Sequence, residues 1–214
     1  MPEIGAALIN PDAGSHPVTT DPREVAASMA AGERSWREFP YYQERFGDRG
    51  RLFGHSDSAW LSLIAQKEQP QVNAEVRWLG ELLSARGMPQ WLLERHLAFL
   101  HEELAAALPE NRERYERLLN AAAMLRNQRR AQLPERDFLD IAEAFHRRVG
   151  PELTARLPNM GALLASAVAD EAAGVARAVE QIEPWATDPS RFPAEWIGAV
   201  REAIRSARER VTRL

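Results

Sequence analysis

Residues 89–108 read PQWLLERHLAFLHEELAAAL. Leu93, Leu97, Leu100 and Leu104 recur there at spacings of four and three, which lays one leucine stripe along one face of a helix. Pro89 suits the first turn of that helix and Pro109 ends it. Nothing in the chain answers it with a strand signal. No run alternates apolar and polar residues with β-branched side chains, and no Asn-Gly or Asp-Gly hairpin turn occurs. The fold class read from this stretch is all-α, a compact multi-helix bundle.

Outward from the stripe, helix punctuation repeats. Asp21-Pro22-Arg23-Glu24 supplies a cap, a proline at the first helical position and a glutamate at the third, and Gly32 is expected to end that short helix. A second start at Ser35 should run on to Phe46, with Tyr41, Tyr42 and Phe46 inward. Asp48 to Ser56 reads as a glycine-containing loop, followed by a helix with Trp60, Leu61 and Ile64. Val72, Val76, Leu79 and Leu83 mark the next helix; Tyr115, Leu118, Ala122 and Leu125 mark a helix over 110–132. Phe138, Ile141, Ala142, Phe145 and Val149 share one face of a helix that Gly150-Pro151 should terminate. An Ala-rich stretch from Pro158 to Ile182 allows close helix approach and belongs at the centre; 183–192 reads as a linker, and Pro193 opens the last helix. Eight or nine helices account for nearly everything. Residues 1–20 are expected to be a flexible segment and 21–214 the helical domain.

Composition sets the outer limits. The 214 residues carry 31 acidic and 27 basic side chains, a formal net charge of −4, and no cysteine. Disulfide frameworks, thiolate zinc sites and cysteine nucleophiles are thereby excluded. Lys67 is the only lysine, so arginine carries nearly all the positive charge and favours bidentate carboxylate pairs. The start lacks a basic region followed by an apolar one, and the longest weakly polar run, Met160 to Ala169, is half of the ~20 residues a membrane span needs. A cytoplasmic protein with no membrane span is the expectation.

Shifting the chain by 103 residues lays Gly47 on Gly150, Ala59 on Ala162, Leu61 on Leu164, Glu68 on Glu171 and Val76 on Val179; one inserted residue brings Pro89 onto Pro193. This suggests two copies of a helical unit, 34–108 and 137–211, joined by the helix 110–132.

Three constellations are candidates for function. His96 and His101 flank the leucine stripe, and with Trp78, Trp91, Phe99, Tyr41 and Tyr42 they would suit a bulky apolar ligand between helices, such as haem, a bilin or cobalamin. Arg49, Arg51 and His55 stand next to an expected helix start and would suit an anion. Glu68 and Glu171, with the Glu143-x-x-His146 step, resemble in spacing the carboxylate-bridged metal sites of helical bundles. Ser56 and Ser58 lie near His55, but no nucleophile elbow frames them. Arg126, Arg129, Arg130 and Arg136 form a basic patch, yet the net acidity weighs against nucleic acid as a partner. The expectation is a non-catalytic helical sensory, regulatory or protein-interaction module, with a protein partner or a second copy as its associate. The alternatives are a carboxylate/histidine metalloprotein and an enzyme without a recognisable motif.

Overall fold

The computed structural model describes residues 5–211. Among the described residues there are nine α-helices and no strand: α1 (Pro22–Glu38), α2 (Tyr41–Ile64), α3 (Gln69–Ser84), α4 (Gln90–Ala107), α5 (Arg112–Gln132), α6 (Glu135–Arg156), α7 (Met160–Ala172), α8 (Ala178–Ala186) and α9 (Ala194–Val211). The protein is all-α, as its periodicity requires. The chain divides into two compact units, one of residues up to Arg77 with Glu94–Met124, the other of Trp78–Leu93 with the residues from Leu125 on.

In the first unit α1 packs along α2. The Asp21 carboxylate accepts from the Arg23 amide at 2.8 Å and Pro22 occupies the first turn, so α1 starts where its cap predicts. It does not end at Gly32. α1 continues to Glu38, because Gly32 is where α2 comes closest: a Cβ there would meet His55 Cδ2 at 2.8 Å. Asp48 to Ser56 is likewise helix rather than loop. Gly47 takes up the whole bend, at φ 56° and ψ −163°, and regular turns resume immediately after it. The N-terminal segment departs from expectation too. Its first four residues lie outside the described residues, but from Gly5 it is folded: Ala6 and Val18 are buried against Ala59 and Trp60, and the Thr19 amide donates to the Ala59 carbonyl at 3.2 Å. Glu24, 1 % exposed, fixes its end by accepting from the Thr19 hydroxyl, the Arg114 guanidinium and, at 2.7 Å, the Tyr115 hydroxyl.

In the second unit α6, α7 and α9 pack on one another, with α8 against α7 and α9. Every residue of α7 from Met160 to Asp170 is buried, so the Ala-rich helix is the centre of this unit. Gly161 permits it, since a Cβ would stand 2.9 Å from Ala142 Cα on α6. The stretch to Ile182 is not one helix, however. It breaks after Ala172 through Gly174 and the left-handed Arg177 (φ 68°), and α8 then extends through Pro184 into the expected linker. Trp196, rather than its neighbour Ile197, fills the base of α9: it is fully buried, stacked on Phe192 at 4.9 Å, and donates from Nε1 to the Ala186 carbonyl at 3.0 Å.

Two coincidences favour the internal duplication. Gly150 bends α6 at φ 78°, ψ 172°, as Gly47 bends α2, and α4 and α9 each span 18 residues in the proposed frame. The duplication stands as our proposal. The second copy lies wholly in the second unit, whereas residues 78–93 of the first copy fall in that unit too.

Candidate functional site

A line of serines runs between α1 and α2. Ser28 and Ser62 share a hydrogen bond at 2.7 Å, Ser28 also donates to the Glu24 carbonyl, and Ser62 to the Ser58 carbonyl. At the same seam Ser35 of α1 and Ser58 of α2 reach the two nitrogens of His96 on α4, at 2.8 Å to Nδ1 and 3.0 Å to Nε2. Ser58 donates its own hydrogen to the Gly54 carbonyl at 2.6 Å and therefore can only accept from the ring. That assigns the proton to Nε2 and makes Nδ1 the acceptor of the Ser35 hydroxyl. Burial pushes the imidazole down to about 4, so the ring is neutral at pH 7.

The other members of the expected ligand set have separate surroundings. In the first unit His101 is buried at 8 % exposure, and its Nε2 has no hydrogen-bond partner; burial and then the Arg112 charge lower its pKa. Phe99 lies between the guanidinium groups of Arg34 (4.5 Å) and Arg95 (5.3 Å). Tyr41 is buried, with its hydroxyl accepting from Arg45, and desolvation raises its pKa. Tyr42 stacks on Trp36 at 5.1 Å. Trp91 and Trp78 belong to the second unit: Trp91 meets the Phe138 ring edge-on at 5.6 Å, and Trp78 is 56 % exposed.

The anion set sits on a helix, not in a loop, and each cation already has a carboxylate. Arg51 and His55 both bind Glu33, at 2.5 and 2.8 Å, and Arg49 binds Asp12 at 3.2 Å. Arg51 holds the Glu33 carboxyl below its ordinary range. The metal set is not assembled. Glu68 is exposed in the turn after α2; Glu143 is exposed and paired with Arg147 at 2.9 Å; Glu171, at the end of α7 and not the centre of a stripe, is paired with Arg208 at 2.9 Å. His146 bonds the Pro158 backbone, with Nε2 buried and unpartnered. Among the described residues no group of three or more His, Asp or Glu stands close enough to hold a metal ion.

Asp170 is the residue that the sequence reading passed over, taking it only as the end of an apolar run. It is 3 % exposed and accepts from the Ser84 hydroxyl at 2.7 Å and from the Gln90 amide at 2.9 Å. One turn earlier on α7, the Ser166 hydroxyl accepts from the Trp91 amide at 3.2 Å. Asp170 and Ser166 thus satisfy two of the amides that every helix leaves unpaired at its start, here those of α4. Burial lifts the carboxyl to about 7 against the pull of Ser84, Gln90 and Arg129. Arg129 is itself almost fully buried, over the Phe138 ring at 4.1 Å and 3.0 Å from Glu135. A signal was available: Ser166-x-x-x-Asp170 puts two capping side chains on one face of an otherwise apolar helix.

The chain matches no family model, no curated protein and no solved structure.

Proposed function

We propose that the protein is a non-catalytic helical interaction module that engages a protein partner through the outward face of α3, with Trp78 as the anchor. The exposure of Trp78 carries this reading. An indole with 56 % of its surface in water, held on a regular helix beside the exposed Glu81, forgoes burial that is worth roughly 2 kcal/mol or more for a large apolar side chain. Tryptophans ringed by polar groups are the side chains that most often dominate association energies. Leu139, 55 % exposed on α6 in the same unit, is a second apolar group available to a partner.

The test is capture from a cell extract by the wild-type chain and by Trp78→Ala, scored protein by protein, beside sedimentation of each purified chain. Because Trp78 is exposed, the variant should keep the wild-type thermal midpoint within a degree or two. It should lose at least ten-fold in recovery of one specific protein, or in self-association if the partner is a second copy. Identical captured proteins and identical sedimentation for the two chains would refute the proposal.

A further inference from the structure

His96 is a polar plug in a place where hydrocarbon would serve. In the proposed internal frame, Ser35, Ser58 and His96 correspond to Phe138, Gly161 and Val200, and there Phe138 and Val200 are buried while Gly161 is closed against Ala142 and Phe145. The first unit instead ties α1, α2 and α4 together through one imidazole and two hydroxyls. Such a tie works in only one protonation state. Nε2 already gives its hydrogen to Ser58, so an added proton must land on Nδ1, where the Ser35 hydroxyl points its own hydrogen. Ser35 then has to turn its hydrogen away, and the ring becomes a cation.

No carboxylate bonds that ring. The charged and titratable groups of the surrounding helices are committed elsewhere: on α1, Glu33 to Arg51 and His55, and Arg34 to Glu102, Glu103 and the Phe99 face; on α2, Arg51 and His55 to that same Glu33; on α4, Arg95 to Phe99, with Glu102 and Glu103 held by Arg34. A charged imidazole here has neither a counter-ion nor bulk water.

We propose that His96 is a proton-operated latch of the first unit: neutral, it holds α1 on α2 and α4 through Ser35 and Ser58, and protonation in mildly acidic surroundings releases α1. The latch does not depend on the partner reading of Trp78, which lies in the other unit. Release is local, because Asp170 and the packing of α6, α7 and α9 contain no group that acid charges in this way.

The experiment is amide hydrogen exchange of the whole chain between pH 7 and pH 4.5, corrected for intrinsic rates, with the His96 ring followed by NMR in the same samples. The latch predicts that protection of α1 falls by up to about tenfold per pH unit below pH 6.5, the slope of one linked proton, while α7 keeps its protection. The ring should take up its proton together with that loss, and His96→Gln, which can bond both serines without titrating, should abolish the slope. Three results would overturn it: the same slope in His96→Gln, simultaneous loss of protection in α1 and α7, or a wild-type ring that titrates near 6.5 while α1 stays protected. The last is read in the wild-type chain and holds even if the variant does not fold.

Discussion

Removing a buried acceptor costs more than removing its charge, and Asp170 separates the two. Asp170→Ala leaves the Ser84 hydroxyl and the Gln90 amide facing hydrocarbon, and it leaves a small void. Asp170→Asn keeps an oxygen for both donors and discards only the ionisable group. At pH 7.5 urea unfolding should show the alanine variant destabilised by about 2 to 4 kcal/mol and the asparagine variant within about 1 kcal/mol of wild type. Equal losses would mean that the carboxylate charge, acting on the α4 start, matters more than the hydrogen bonds. The comparison also shows why sequence reading passed over this position. An acid after a run of alanines looks like a boundary with water, because burial of a polar group depends on which distant donors arrive. Here Ser84 and Gln90 lie 86 and 80 residues away in sequence. Glu171 was chosen in its place from a periodicity that Gly174 interrupts, and the side chain instead meets Arg208.

Helices were more legible than sites because their signals are local. The leucine stripe of α4, the cap of α1 and the inward face of α6 appear where periodicity puts them, with Leu93, Leu97, Leu100 and Leu104 all buried. The errors cluster at glycine, which marks a turn, a bend or a close approach with the same letter. Gly32 is a close approach, Gly47 a bend, and Gly54 an ordinary helical residue with open space around its Cα. Those three environments predict opposite responses to one methyl group. Gly54→Ala should stabilise by roughly 0.5 to 1 kcal/mol, since alanine has the better helix propensity and meets nothing. Gly47→Ala should cost about 1 to 3 kcal/mol despite equally open space, because φ 56° with ψ −163° is a conformation that only glycine adopts readily. Thermal unfolding of the two variants checks both signs. A stabilised Gly47→Ala would show that α2 runs straight, and the proposed correspondence with Gly150 would lose its strongest support.

Taken as a whole, the molecule carries two buried titrating groups of opposite sense, one in each unit. His96 has its pKa lowered from 6.5 to about 4, so between those values the unfolded chain binds the proton that the folded chain refuses, and stability falls as pH drops through the window. Asp170 has its pKa raised from 3.8 to about 7, so the folded chain holds a proton that the unfolded chain releases, and stability falls as pH rises through that window. Each contribution is on the order of 3 to 4 kcal/mol at most, and over pH 4 to 6.5 they oppose one another. The wild-type urea midpoint should therefore change little across that range apart from what the ion-paired carboxylates add. Those carboxylates, Glu33 and Glu135 among them, are the same in every variant and drop out of difference curves. Against wild type, Asp170→Asn should gain stability steadily from pH 4 to pH 7, and His96→Gln should gain it steadily from pH 6.5 down to pH 4. Two difference curves that slope the same way cannot arise from one buried base and one buried acid, and would show that at least one of the two groups is open to solvent in the folded chain. Opposite slopes would mean that one pH change weakens the first unit while it strengthens the second.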